Sequence, residues 1–169
     1  MACDISSGRL RACKEFNGGV SSVYFLNFVE NAFTIVDGEA TAINPLVTVA
    51  YEYQIDGDTH NLVENFVGDK NTGTSVNTQT LTMMLKGMDA VTSAQLNTLI
   101  YGKVIAVVKD RNGKYIACGV DDGMDFSADA TTGAAKTDMN GYTLTGVATT
   151  KAYAPFLDSA TVTAFLALV

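Results

Sequence analysis

The chain has 169 residues, 47% of them apolar and only 17% charged. It is long enough to bury a core without metal or disulfide support, and too apolar for a disordered tail. The net charge of −7 and a pI near 4.5 argue against direct affinity for nucleic acid, which calls for a basic footprint.

Fifteen glycines, two prolines and seven tyrosines, with many threonines, favour short strands joined by turns. They predict one mainly β domain over residues 1–169 with one α-helix. Residues 1–19 form a polar arm in which Arg9, Arg11 and Lys14 cluster against Asp4 alone. The start, MACDISSGRLRACK, has no apolar run after its charges, so it does not read as a signal peptide, and synthesis in the cytoplasm is expected. No stretch approaches the ~20 apolar residues of a membrane span.

Val20–Val29 is apolar and aromatic, a strand. Ala32–Val36 is a shorter one, ended by the turn pair Asp37-Gly38. Over Leu46–Ile55, Val47, Val49, Tyr51 and Tyr53 alternate with Thr48, Ala50, Glu52 and Gln54, which predicts a strand with one buried face. From Glu15 to Asp69 the charges are acids only: Glu15, Glu30, Asp37, Glu39, Glu52, Asp56, Asp58, Glu64 and Asp69. Two readings stay open, a solvated acidic face beside a basic terminus, or a surface past which a polyanion moves without sticking.

Gly68–Val76 (GDKNTGTSV) is a loop by composition, and Thr78–Leu85 resumes alternation with Leu81, Met83 and Leu85 on one side. Asp89–Gly102 holds the predicted helix, over about 92–101. Thr92 is its expected N-cap with Gln95 as reciprocal partner, Leu96, Leu99 and Ile100 its buried stripe, and Gly102 its left-handed stop. Val104–Val108 is a continuous apolar run, a central strand buried on both faces. The turn Asp110-Arg111-Asn112-Gly113, whose Asn and Gly tolerate positive φ, returns the chain as Tyr115–Val120. Asp121–Asn140 is a long polar loop in which only Met124-Asp125-Phe126 hints at a strand. Tyr142–Val147 is the last strand, and Ala160–Val169 reads either as a strand or as a short helix, closing the fold or reaching a neighbour.

Candidate chemistry is sparse. Asp56-Gly57-Asp58-Thr59-His60-Asn61 starts like a calcium loop, but Asn61 stands where Gly is required and Val67 where Glu is. A hairpin turn is the better reading. Asp121, Asp122 and Asp125 flank Gly123 as ordinary turn residues. His60 has no nucleophile motif around it and is expected at a turn or on the surface. Cys3, Cys13 and Cys118 make neither a disulfide framework nor a C-x-x-C pair. No nucleotide-binding glycine pattern occurs. A non-catalytic protein without cofactor or metal is expected.

The start MACDISSGRL, the hairpin VIAVVKDRNGKYIACG followed by DDGMDF, the segment ATTGAAKTDMNGYTLTG and the ending YAPFL resemble virion structural proteins of tailed phages, notably those infecting Bacteroidetes. The order of elements, with a helix between sheet halves, is similar to tail tube proteins of long-tailed phages and their relatives in contractile injection systems. That resemblance implies a β-sandwich or barrel protomer, with one α-helix, forming hexameric rings that stack into a hollow tube through which genomic DNA passes without specific binding. The helix would lie outside or between protomers, and an acidic lumen would let DNA slide. The implied partners are further copies of the chain and other tail proteins, and the implied location is the virion tail. The Met1–Phe16 arm, the Gly68–Val76 loop and the Asp121–Asn140 loop would bridge rings, with Arg9, Arg11, Lys14, Asp69, Lys70, Asn71, Asp129, Thr131, Thr132 and Lys136 as inter-subunit contacts. The competing expectations are a head-decoration or head-to-tail connector protein, or a soluble ligand-binding β-barrel.

Overall fold

The computed structural model describes Ile5, residues 7–10 and residues 13–169; Cys3, Asp4 and Arg11 lie outside the described residues. The fold is mainly β, with two sheets and two helices among the described residues. In chain order the elements are β1 (Val20–Asn27), β2 (Phe33–Val36), β3 (Glu39–Ile43), β4 (Tyr51–Gln54), β5 (Asn61–Asp69), β6 (Thr74–Lys86), α1 (Ala90–Tyr101), β7 (Val104–Asp110), β8 (Tyr115–Cys118), β9 (Asp125–Thr131), β10 (Gly141–Thr150), β11 (Phe156–Leu157) and α2 (Ser159–Leu166).

The larger sheet runs β2-β3-β11-β8-β7-β1-β4 and the smaller one β5-β6-β10-β9. β7 is the apolar run VIAVV. Its residues Val104 to Val108 are all buried, because both faces of its sheet are covered. On the inner face, Val104, Ala106 and Val108 join Val23 and Phe25 of β1, Leu81 and Met83 of β6, Leu144 of β10 and Leu96 of α1. On the outer face, Ile105 and Val107 pack with Tyr24, Leu26, Tyr115 and Phe165 of α2. Phe165 meets Tyr24 edge-on at 5.3 Å between ring centroids. Phe25 does the same to Phe126 across the sandwich at 5.1 Å, an arrangement favoured by the ring quadrupoles. Gly146 of β10 makes room for that stack, since a Cβ there would collide with the Phe126 ring.

Several expectations need correction. Asp121–Asn140 is not one loop: β9 occupies Asp125–Thr131 and pairs with β10 in unbroken register. Its inward residues Phe126 and Ala128 contribute to the core, while its outward Asp, Ser and Thr make it read as turn. Gly68–Val76 is a hairpin, with β5 and β6 paired from Asn61↔Thr82 to Asp69↔Thr74, leaving only residues 70–73 as turn. The strand expected over Leu46–Ile55 shrinks to β4, with Val47 and Ala50 buried but Val49 and Tyr51 exposed. Here an Asn44-Pro45 turn wins, the Asn44 Oδ1 and backbone O accepting from the N–H groups of Leu46 and Val47, as Asx turns do. The Asp56–Asn61 segment is a crossover between sheets rather than a hairpin turn, since β4 and β5 belong to different sheets. At the Asp110–Gly113 turn only Gly113 takes positive φ. The C-terminal segment is helical, as α2.

The cap of α1 also differs. Asp89, not Thr92, is the N-cap: its carboxylate accepts from Thr92 N–H at 2.7 Å and from the Thr92 hydroxyl at 2.6 Å. An Asp three residues earlier satisfies the same orphan N–H groups and adds a favourable charge at the helix N-terminus. Gly102 ends the helix in extended backbone, φ −94°, rather than left-handed, and Ile100 is exposed where Leu96 and Leu99 are buried. The bonds from the Thr92 hydroxyl and N–H hold the Asp89 carboxyl below its ordinary value. Its contribution is therefore full above the unfolded carboxylate's pKa, about 3.9, and is lost as pH falls through the lowered folded value. Asp89→Ala is expected to lower the melting temperature by a few degrees at pH 7. The two proteins should converge as pH is taken down through that lowered folded value, a trend that calorimetry at stepped pH reads directly.

Candidate assembly surfaces

The two sheets treat their edges differently. The larger sheet ends in β2, four residues with a register shift between Thr34 and Ile35, and in β4, also four residues. Short or bulged edges resist pairing with other chains. The smaller sheet ends in β5 and β9, nine and seven residues long, both in continuous register with their neighbours. Neither contains Pro, Lys or a bulge; what guards them is charge alone, Glu64 pointing inward from β5 and Asp125 and Asp129 outward from β9.

The outward face of the smaller sheet is the bare one, because the larger sheet lies beneath it. Alternation turns Val63, Asn65 and Val67 of β5 outward, with Val76, Thr78, Thr80 and Thr82 of β6. Thr143, Thr145, Val147 and Thr149 of β10 and Asp125, Ser127, Asp129 and Thr131 of β9 complete the face. Each of these is exposed or half-buried. Of these residues only Asp125 and Asp129 are charged, so the face is hydroxyl-rich, weakly acidic and free of cations; Lys86 stands at its end, in an ion pair with Asp56 at 3.4 Å.

The expected contact residues fall into two groups at opposite ends of this sheet. Asp69, Lys70 and Asn71 are at the β5–β6 turn, where Asp69 Oδ1 accepts from Asn71 N–H at 2.8 Å. Asp129 and Thr131 lie on β9, with Thr132 and Lys136 in the following loop, near the other end of β6, since Gly141 pairs with Lys86. The twelve residue steps from Thr74 to Lys86 separate the groups by about 40 Å at strand rise. Asp138 orders the second loop by accepting from Ala134 and Ala135 N–H at 2.9 and 2.7 Å, bonds that hold its carboxyl below the ordinary value. Arg9 and Lys14 are exposed in the arm. Arg11 lies outside the described residues.

Two polar sites were not legible in the sequence. His60, expected at a turn or on the surface, lies in the connection between β4 and β5 and is buried there. Its Nδ1 accepts from Met84 N–H at 3.1 Å and its Nε2 lies 3.2 Å from the Asp56 carbonyl, an arrangement that suits the neutral ring with the proton on Nε2. The second site closes the far end of the sandwich. Glu64 Oε1 accepts from Asn77 Nδ2 at 2.8 Å, Gln79 Nε2 at 3.2 Å and Ala154 N–H at 2.8 Å. Gln79 Oε1 in turn accepts from Gly119 N–H, across to the larger sheet, at 2.9 Å. Burial, and secondarily the Glu64 charge, pushes the nearby Cys118 thiol up, so it stays protonated and unreactive. The only available signal was Asn77 and Gln79 standing in phase with Leu81 and Met83.

Among the described residues no group of three or more His, Cys, Asp or Glu could hold a metal ion. Among the described residues no helix is long and apolar enough to cross a membrane. No protein-family model, curated protein or solved structure matches this chain.

Proposed function

We propose that the protein is a structural subunit of a phage tail tube, self-assembling into rings that stack into a conduit for DNA. The observation that carries this reading is the pair of long, regular edges on the smaller sheet, without bulge, Pro or Lys. β5, β6, β10 and β9 alternate in direction, so β9 of one copy meets β5 of the next antiparallel. Such a contact joins unlike surfaces, and unlike surfaces generate rings when the rotation closes. Six copies, the expected number, would give a barrel of roughly 24 strands, well beyond the 16–18 that leave an aqueous channel in porins. At about 4.8 Å between strands its circumference is at least about 115 Å, or about 37 Å across the backbones.

The bare face suits a lumen. Its lack of cations denies a polyanion counter-charges to bind, and two carboxylates per copy repel it. On this reading the lumen would be acidic with few acids. The separation of the two loop groups by the length of β6 suits stacking, one group meeting the ring above and the other the ring below. Electron microscopy of the purified protein tests the reading: six-fold rings or stacked tubes are expected. A species that stays monomeric at high concentration would overturn it, and flat trimers or isolated pentamers on a shell would favour head decoration.

A further inference from the structure

Asparagine followed by glycine occurs at Asn17-Gly18, Asn112-Gly113 and Asn140-Gly141. Such a pair is chemically labile, because a glycine nitrogen with no side chain in the way can attack the preceding carboxamide carbon. All three asparagines are exposed, yet the fold treats them differently. At Asn140 the attacking nitrogen is immobile: Gly141 is the first residue of β10, paired with Lys86 on one side and Thr131 on the other. A Cβ there would collide with the Leu85 carbonyl, so the backbone has no room to turn. At Asn112 the carboxamide is held. Its Oδ1 accepts from Asn17 N–H at 2.8 Å, and its Nδ2 donates to the Asn17 carbonyl at 2.8 Å and to Asp110 Oδ2 at 3.1 Å. The Gly113 N–H donates to the Asp110 carbonyl at 3.2 Å.

Asn17 has none of these restraints. Its bonds to Asn112 use its main chain, and among the described residues its carboxamide has no partner. The Gly18 N–H has none either, and nothing lies within 4 Å of where a Gly18 Cβ would be. We propose that Asn17 is a site of spontaneous deamidation and isomerisation, set in the joint that seats the N-terminal arm on the body. The Gly18 nitrogen bonds to Asn17 Cγ, the Cγ–Nδ2 bond breaks, and ammonia leaves with the Gly18 proton. Water then opens the cyclic imide, at Cγ to give aspartate or at the main-chain carbonyl to give isoaspartate.

The position gives this reaction a structural effect. Phe16, Asn17 and Gly19 all meet the β7–β8 turn or Lys114 beside it. Lys114 Nζ stands 5.9 Å from the Phe16 ring centre and 5.6 Å from that of Phe156, and the Gly19 carbonyl accepts from Arg111 N–H at 3.2 Å. Isoaspartate routes the chain through Cβ and Cγ, adding a carbon between Phe16 and Gly18. The carbonyl that Asn112 held becomes a free carboxylate outside the chain. Its charge arrives beside the Asp110 carboxylate, which accepts from the same Asn112 Nδ2, and the like charges repel. The joint loosens, and loss of ammonia makes the change one-way. No neighbouring copy is needed.

The test is ageing of the full chain at mildly alkaline pH, where the attacking nitrogen loses its proton more readily, followed by peptide mapping by mass spectrometry. Asn17 should convert at least about tenfold faster than Asn112, where three side-chain hydrogen bonds must open first. Asn140 should stay intact. Gly18→Ala is the control: Gly18 is not at positive φ and its Cβ would meet nothing, so the backbone stays while the attack is hindered and conversion nearly ceases. Hydrogen exchange in the peptide holding Asn17 should rise in the aged parent protein and stay unchanged in aged Gly18→Ala. An Asn17 that converts no faster than Asn112 or Asn140 would overturn the site, and equal conversion in Gly18→Ala would overturn the imide route. Conversion without faster exchange would overturn the loosening of the joint.

Discussion

Val63→Glu combined with Val67→Glu should abolish ring formation while leaving a folded monomer. Both valines are about half exposed, at 51% and 52%, on the outward face of β5, so the monomer loses little by the change. In the proposed β9–β5 junction the outward row of one strand would lie beside the outward row of the other, bringing the new carboxylates near Asp125 and Asp129. Like charges at such cross-strand positions cost about 0.2–1 kcal/mol each, and the penalty recurs at every junction of the ring. Val63→Lys with Val67→Lys reverses the sign and should retain rings with stronger salt dependence. Sedimentation velocity and micrographs read the assembly, and a thermal melt confirms the fold. Glu variants that assemble like the parent protein would sink the edge-pairing scheme.

The largest effect on stability is expected at Glu64. Glu64→Leu removes the acceptor shared by Asn77, Gln79 and Ala154 N–H, and each buried donor left without a partner costs about 1–3 kcal/mol. Asn77 and Gln79 keep their bonds to Ala152 and Thr150, so a total loss of about 3 kcal/mol is expected. Urea unfolding should show the midpoint fall with an unchanged slope. Glu64→Gln keeps an acceptor oxygen and should recover more than half of the loss. A change below about 1 kcal/mol in the Leu variant would mean that water replaces the carboxylate, and that the site does not hold the sheets together.

Where residue pattern and burial agree, the sequence was a good guide: VIAVV is the central strand, and Leu81 and Met83 face the core. It misled where polar side chains do structural work. β9 looked like loop because its outward residues are Asp, Ser, Asp and Thr; its strand character comes from pairing with β10, a long-range fact. Asn77 and Gln79 break the apolar alternation of β6 because their partner, Glu64, arrives from the neighbouring strand. Asp69 and Asp129 were expected as contact residues only because the resemblance implies that their loops bridge rings. Only the strand register shows that they stand at opposite ends of one sheet.

That last arrangement has a consequence for growth. A subunit whose two ends carry different loops has a direction, and a stack of rings built from it has two unlike ends. Each added ring presents the same free end as the ring before it, so the contact repeats without a built-in stop. Nothing in such a repeat measures distance. The length of the tube would then be information held elsewhere, by whatever starts the stack and whatever caps it, and purified subunits left to themselves should give tubes of widely scattered lengths.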